Sequence, residues 1–220
     1  MHPFSKDKLA VAVLTGNHPY DVPNFHALFR SFPDVDPYIQ TLEDFVHDWG
    51  RVQEAYDVIV FYNMHGPKPG QDTGWFGQPL RGTIRRLTQT GQGLIMMHHA
   101  VLAFLEWEEW AAILGMEDRE FSYHMEQQFS IEIAENHPIT ESLNPWSMTD
   151  ETYNMRPVNG DSTILLRTQH PQSMETPAWA RQHEQARVVC TVLGHDNSAW
   201  ADQGFRCLLH RSIQWAGGSL

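Results

Sequence analysis

Apolar runs that each stop at a polar turn constrain the fold of this chain more than any other feature. Three such runs lie at residues 9–14, 57–62 and 93–97. A strand that is apolar at nearly every position is typical of a sheet covered on both faces, because an exposed face would carry alternating polar residues. Helical patterns lie between and after these runs, at 24–31, 78–90, 101–114 and 199–215. Strands that alternate with helices predict an α/β fold with a mainly parallel sheet.

The second half of the chain carries strand patterns with fewer helices between them. These patterns lie at 129–134, 162–167 and 187–193. Because a parallel connection needs a crossover, usually a helix, we expect part of the sheet to be antiparallel. There is no internal repeat and no linker, and 220 residues fit one domain. A single domain over 1–220 is therefore predicted.

Charge and composition exclude several classes of partner. The net charge is −12, which argues against nucleic acid and anionic membrane surfaces, because both favour positive charge. No apolar stretch is long enough for a transmembrane helix, and the first residues are polar, so a cytoplasmic location is predicted. Small neutral ligands such as sugars remain compatible with this charge. Cys190 and Cys207 lie in apolar segments and are interpreted as buried free thiols.

Histidines follow four of the predicted strands. They are His18, His65, His98 and His195. Ligands of open α/β sheets bind outside the carboxyl ends of the parallel strands, so we expect these side chains to share a pocket. His99 follows His98 directly and is expected to point the other way and to pack or bond structurally.

An acidic pair, Asp150–Glu151, is a second candidate feature. One interpretation is a solvated helix cap; the other is a carboxylate that joins the histidines. Histidine with carboxylate is a ligand set for zinc or another divalent metal, and without a metal it serves general acid–base catalysis. No HExxH pair fixes the choice, so both remain open. Glycine-rich phosphate loops are absent, which gives no sign of nucleotide binding.

Four segments in order resemble the trehalose-utilisation (ThuA-like) family. They are the strand at 93–97 ending in His98, the HPI-x-x-x-L block at 137–143, the DExY block at 150–153, and the closing segment from 187 through Leu193-Gly-His195 to Trp215-Ala216. The resemblance implies a class I glutamine amidotransferase-like fold, which is a flavodoxin-like three-layer sandwich. It also implies a role in carbohydrate utilisation, and a homodimer.

The resemblance also implies the residues of the site. His98, Glu151 and His195 carry over as catalytic residues and as the ligands of a metal, if one is bound. His18, His65, His124 and Tyr153 are the candidates for substrate binding. The predicted elbow carries His98 and no cysteine, so a cysteine amidotransferase is not expected. The histidine at position 99 departs from the small residue usual in the family.

Two classes of function follow. The first is an enzyme, a hydrolase, lyase or isomerase, that acts on a sugar, keto-sugar or keto-glycoside, with Trp75 or Trp107 as candidates for stacking on a sugar face. The alternative is a non-catalytic sugar-binding or regulatory module on the same fold. Formation of product separates the two.

Overall fold

The computed structural model describes residues 4–5, 7–50, 52–66, 68–69 and 77–220. Trp75 and most of the loop predicted at 66–77 lie outside the described residues.

The described residues form nine strands and six helices. The strands are β1 (Leu9–Gly16), β2 (Val35–Thr41), β3 (Val58–Asn63), β4 (Gly93–Met97), β5 (Phe121–Ile133), β6 (Trp146–Met155), β7 (Thr163–Arg167), β8 (Ala178–His183) and β9 (Ala186–Thr191). The helices are α1 (Val22–Arg30), α2 (Leu42–Val46), α3 (Gly77–Thr90), α4 (Glu108–Leu114), α5 (Asn197–Ala201) and α6 (Gln203–Ala216). Short 3₁₀ turns lie at Gln53–Ala55 and His98–Leu102.

All nine strands belong to one mixed sheet, in the order β2-β1-β3-β4-β9-β8-β7-β5-β6. The five strands from β2 to β9 pair in parallel, whereas β8, β7, β5 and β6 pair antiparallel. The α/β class is confirmed, but the prediction of a mainly parallel sheet was wrong. The sheet is mixed because, from β5 onward, consecutive strands are joined without the helices that parallel crossovers use.

Strands β5 and β6 form a long hairpin that extends beyond the rest of the sheet. They pair from Phe121–Met155 to Ile131–Trp146, while β5 contacts β7 only at Glu132 and Ile133. We call the outer part of this hairpin, residues 121–128 with 148–155, the ribbon. The acidic pair Asp150–Glu151 lies in β6, so the interpretation of this pair as a helix cap was wrong.

Two predicted helices are interrupted. In place of a helix at 101–114, the chain forms a 3₁₀ turn and then α4, because Phe104 adopts a left-handed conformation with φ of 49° that a helix does not continue through. In place of one helix at 199–215, α5 and α6 meet at Asp202. The Asp202 carboxylate accepts a hydrogen bond from the Phe205 N–H at 2.8 Å and caps α6.

Hydrophobic residues on both faces of the sheet hold the helices against it. Along β1, Ala12 and Leu14 face one core, while Val11 and Val13 face the other. Helices α2, α3 and α4 contribute to the first core, and α1, α5 and α6 to the second. Continuous apolar strands are therefore explained by burial on both sides. Among the described residues, no helix has the length and apolarity needed to cross a membrane.

Gly93, at the start of β4, is in close contact with the end of α6. A Cβ atom on Gly93 would lie 2.6 Å from the backbone and the Cβ of Ala216, so Gly93→Ala is expected to lower the free energy of unfolding by about 1–3 kcal/mol. Urea denaturation measures this loss. The control is Gly160→Ala, since a Cβ at Gly160 meets nothing within 4 Å. Equal stability of the two variants would contradict the packing described here.

Candidate functional site

The carboxyl ends of the parallel strands meet at one edge of the sheet, and the predicted histidines lie there. The last residues of β1 and β3, Gly16 and Asn63, are register partners, and Met97 of β4 is the partner of Thr191 in β9. The turns that follow therefore begin at a common level. These turns carry His18, His65, His98 and His195.

His98 is fully buried and both of its ring nitrogens have oxygen neighbours. Nδ1 lies 2.8 Å from the carbonyl oxygen of Val192, and since a carbonyl only accepts, Nδ1 carries the proton. The Nε2 lone pair is then directed at the Glu151 carboxylate, with Oε2 at 3.0 Å. The Tyr153 hydroxyl lies 2.7 Å from the same Nε2 and also hydrogen-bonds to the Glu151 carboxylate. The imidazole is thus held in one tautomer with Nε2 toward the carboxylate.

The backbone of His98 is strained at this point. Its φ is 53°, a left-handed conformation that is uncommon outside glycine, although histidine, like asparagine and aspartate, adopts it more often than other residues do. Such conformations cost about 1–3 kcal/mol and concentrate at functional sites. The strain turns the chain sharply at the end of β4 and directs the His98 ring toward β6 and β9.

His195 completes a group of three side chains that could hold a metal ion. Its Nε2 lies 4.0 Å from Oε2 of Glu151, and its Nδ1 lies 4.0 Å from the Asp196 carboxylate. One ligand atom from each of His98, Glu151 and His195 falls within 4.8 Å of the others. The Nδ1 atom of His98 is hydrogen-bonded to a carbonyl while its Nε2 lies toward Glu151, an arrangement that resembles the outer-shell support of metal-binding histidines.

Burial sets the charge of this group. It lowers the pKa of His98, although the Glu151 carboxylate opposes that shift. Burial would raise the pKa of Glu151, but hydrogen bonding and charge interaction with His98, together with the charge of His195, keep it lowered. Nε2 of His98 and Oε2 of Glu151 lie 3.0 Å apart, and the Tyr153 hydroxyl lies 2.7 Å from the same Nε2. A contact this short between a ring nitrogen and a carboxylate is held either by a shared proton or by a cation.

His18 and His99 form a stacked pair beside the trio. Their ring centroids are 4.2 Å apart, and His18 lies 5.8 Å from His195. The Nε2–H of His99 donates to the Tyr62 carbonyl at 3.0 Å, so His99 bonds structurally, as the sequence predicts. The prediction that it points away from the other histidines was wrong, because its ring stacks on His18. Burial, reinforced by repulsion from His98 and His18, lowers the pKa of His99 to about 2. The Nδ1 atoms of His18 and His99 are buried without a hydrogen-bond partner.

The other predicted residues divide into two groups. Tyr153 lies in the site, through its bond to His98. His65 makes a separate pair with Glu43, with Nε2 and Oε1 2.9 Å apart, and Asn63 donates to its Nδ1 at 3.2 Å. His124 lies on the ribbon opposite Thr152. Because side chains alternate along a strand, this register puts His124 on the other face from Glu151 and Tyr153.

Two residues of the site, Tyr62 and Trp200, were not predicted from the sequence, and neither were the partners of Asp150. The Asp150 carboxylate accepts hydrogen bonds from the backbone N–H groups of Glu151, Gly194 and His195; burial raises its pKa to about 7, although these bonds oppose the shift. Tyr62 donates to the His195 carbonyl at 2.8 Å, and Trp200 donates to the Gly194 carbonyl at 2.9 Å. The acidic pair was the one available signal, and it pointed to Asp150 without indicating its partners.

Comparison with known structures agrees with this architecture. A ThuA-like protein from Parabacteroides merdae is 20% identical, with a TM-score of 0.76 over 96% of this chain and 90% of that one. A cytoplasmic protein from Salmonella typhimurium is 13% identical, with a TM-score of 0.65 over 93% of this chain and 98% of that one. A glutamine amidotransferase from Thermotoga maritima is 10% identical, with a TM-score of 0.57 over 94% and 98%. Identities this low show a shared fold alone.

The α/β fold is similar to that of a glutamine amidotransferase, and in this chain the turn after β4 carries His98. The model of the ThuA family, described as trehalose utilisation, matches residues 43–216. The chain belongs to this family. No curated protein sequence matches the chain.

The buried histidines make stability depend on pH. Between pH 6.5 and 2 the unfolded chain binds a proton at His99 that the folded protein does not, since burial lowers the folded pKa to about 2. Folded stability is therefore lost as pH falls below 6.5, at about 1.4 kcal/mol per pH unit for this group. The free energy of unfolding, plotted against pH between 6.5 and 4.5, is expected to have a slope smaller by about 1.4 kcal/mol per pH unit in His99→Gln than in the wild type.

Urea titrations at several pH values, with a chelator present, measure the slope. The control His26→Gln applies the same substitution to a half-buried histidine of α1. If His99→Gln keeps the full wild-type slope, the buried neutral state of His99 is wrong.

Proposed function

We propose that the protein is an enzyme of carbohydrate utilisation that acts on a sugar, keto-sugar or keto-glycoside at His98, Glu151 and His195, with a divalent metal held by these three residues. One observation carries the proposal. The Glu151 carboxylate and the Nε2 atoms of His98 and His195 converge on one small volume, where each offers an atom that can bind a metal ion. The backbone of His98 beside it lies in the left-handed region, which is enriched at functional sites.

The donor set fits zinc or a similar ion. Ligand atoms around tetrahedral zinc, each about 2.0–2.2 Å from the ion, lie about 3.3–3.6 Å apart. The contacts of Glu151 Oε2 with His98 Nε2 at 3.0 Å and with His195 Nε2 at 4.0 Å lie on either side of that range. Three protein ligands are the number found in catalytic zinc sites, which keep a further position for water or substrate.

A bound divalent ion would polarise a substrate carbonyl or lower the pKa of a water molecule. The protein residues then have separate roles. Glu151 remains ionised, and His98 is kept in the Nδ1–H tautomer by Val192. Tyr153 stays protonated, since burial and the Glu151 charge raise its pKa, and it offers a hydrogen bond to an oxygen that gains negative charge. His18 lies on the outer side of the cluster, where an imidazole serves to accept a substrate proton.

The cysteines do not support hydrolysis of glutamine. Cys190 is buried within β9 and burial raises the pKa of its thiol, which disfavours the nucleophilic thiolate. Cys207 lies on α6. Neither occupies the turn after β4, where His98 lies.

Metal binding is the first test. Equilibrium dialysis against Zn²⁺ with elemental analysis is expected to give about one ion per wild-type chain. Glu151→Gln, which keeps the shape of the side chain and removes its charge, is expected to weaken binding by at least about 10²-fold, since outer-shell partners alone are worth 10–100-fold. The control His124→Ala removes a ribbon histidine opposite Thr152 and is expected to bind normally. Failure of the wild type to bind zinc, cobalt or manganese would overturn the metal assignment.

Turnover is the second test. A screen of keto-sugars and their glycosides is expected to yield a product with the wild type, and Tyr153→Phe is expected to lower kcat by about 10²-fold, as loss of a donor to a developing oxyanion does. Tyr123→Phe is the control, because Tyr123 is the cross-strand partner of Tyr153 and is exposed. Saturable sugar binding without product in the whole screen would favour the non-catalytic binding module.

We also propose that the protein is a cytoplasmic homodimer and that its ligand is a small carbohydrate.

A further inference from the structure

We infer that Asp150 is a positioning residue that holds Glu151 and His195 in register with each other. The inference rests on the proposed function, because it concerns the geometry of the same site. It follows from the hydrogen bonds of one buried carboxylate and from where those bonds lead.

Asp150 joins two segments that the sheet itself does not join. In the strand order, β8, β7 and β5 separate β9 from β6, so no ladder of backbone hydrogen bonds fixes the turn after β9 relative to the ribbon. The Asp150 carboxylate makes that connection directly. Oδ2 accepts from the Gly194 N–H at 2.6 Å, and Oδ1 accepts from the His195 N–H at 3.1 Å.

The same carboxylate also binds the residue that follows it. Oδ1 accepts from the Glu151 N–H at 2.9 Å. One fully buried side chain thus contacts the backbone of two of the three proposed metal-binding residues. Its own carboxylate is used for these bonds, since both oxygens already accept from backbone N–H groups. We therefore assign Asp150 to positioning and not to binding of the metal.

The turn at residues 194–195 has little freedom apart from these bonds. Gly194 has φ of 107°, and a Cβ there would lie 2.6 Å from the Met97 side chain and 2.7 Å from that of Phe205. Its carbonyl accepts from Trp200, and the His195 carbonyl accepts from Tyr62. The N–H side of the turn depends on Asp150, and the carbonyl side on the two aromatic residues.

Asp150→Asn tests the role with little change in size. The amide keeps one acceptor, but its NH₂ group would face backbone N–H donors. Zn²⁺ affinity is expected to fall by about 10–100-fold, the usual effect of removing an outer-shell partner. The matched control is Thr152→Val, which removes a buried hydrogen bond of the same strand, to the Gln172 carbonyl at 2.7 Å, that leads away from His195. Thr152→Val is expected to lower stability and to leave Zn²⁺ affinity within about twofold of the wild type.

Amide hydrogen exchange supplies a measurement that does not depend on the metal. The Gly194 and His195 amides are expected to be protected in the wild type and in Thr152→Val. In Asp150→Asn they are expected to exchange faster than in the wild type, by a larger factor than the β1 amides of the same variant. If Asp150→Asn does not fold, Tyr62→Phe removes only the hydroxyl that holds the His195 carbonyl. It is then expected to weaken Zn²⁺ affinity in the same direction by several fold.

The outcomes separate this inference from the proposed function. If the wild type binds Zn²⁺ and Asp150→Asn binds it equally well, the positioning role is wrong and the metal site stands. If the wild type binds no metal, the metal assignment fails, and amide exchange alone decides the role of Asp150. Unchanged exchange at Gly194 and His195 in Asp150→Asn would then overturn it.

Discussion

The burial of His98 is the constraint on which the rest of the site depends. An unpaired buried polar group is costly, and both ring nitrogens of His98 have partners. The Val192 carbonyl, just after β9, meets one nitrogen, while Glu151 and Tyr153 from β6 meet the other. One side chain thereby requires that the parallel and the antiparallel parts of the sheet close on each other.

The two parts of the sheet contribute different chemistry. The parallel strands supply imidazoles, because their ends converge at one edge. The ribbon supplies the carboxylate and the phenol, and its register decides which faces of β6 meet the histidines. A shift of one residue in that register would direct Asp150 and Thr152 at His98 in place of Glu151 and Tyr153. Hydrogen bonds from β6 to the segment at 172–174, through Thr152 and the Tyr153 carbonyl, oppose such a shift.

Sequence patterns predict the parallel part of this protein well, because a strand buried on both faces is apolar throughout. His98 and His195 are likewise identified as strand-end residues by position. The ribbon is harder to predict, because most of its side chains are polar and its strands lack the apolar pattern. Glu151 was noted only as one member of an acidic pair, and its role in the site came from the family resemblance. Local sequence also gave no indication that His65 would pair with Glu43, or that Asp150 would bind a turn 44 residues later. Such contacts depend on how distant segments meet, which short patterns do not encode.

The wide spacing of the site along the chain has a consequence for the lifetime of the protein. His98 and Glu151 are 53 residues apart, and His195 comes from a third segment, so no fragment of the chain presents the whole site. A ligand held by all three binds only the complete fold, and occupancy at 100 times its dissociation constant adds about 2.7 kcal/mol to the stability of that fold. Degradation that proceeds through global opening would slow accordingly. The abundance of the protein in a cell would then follow the supply of whatever the site binds.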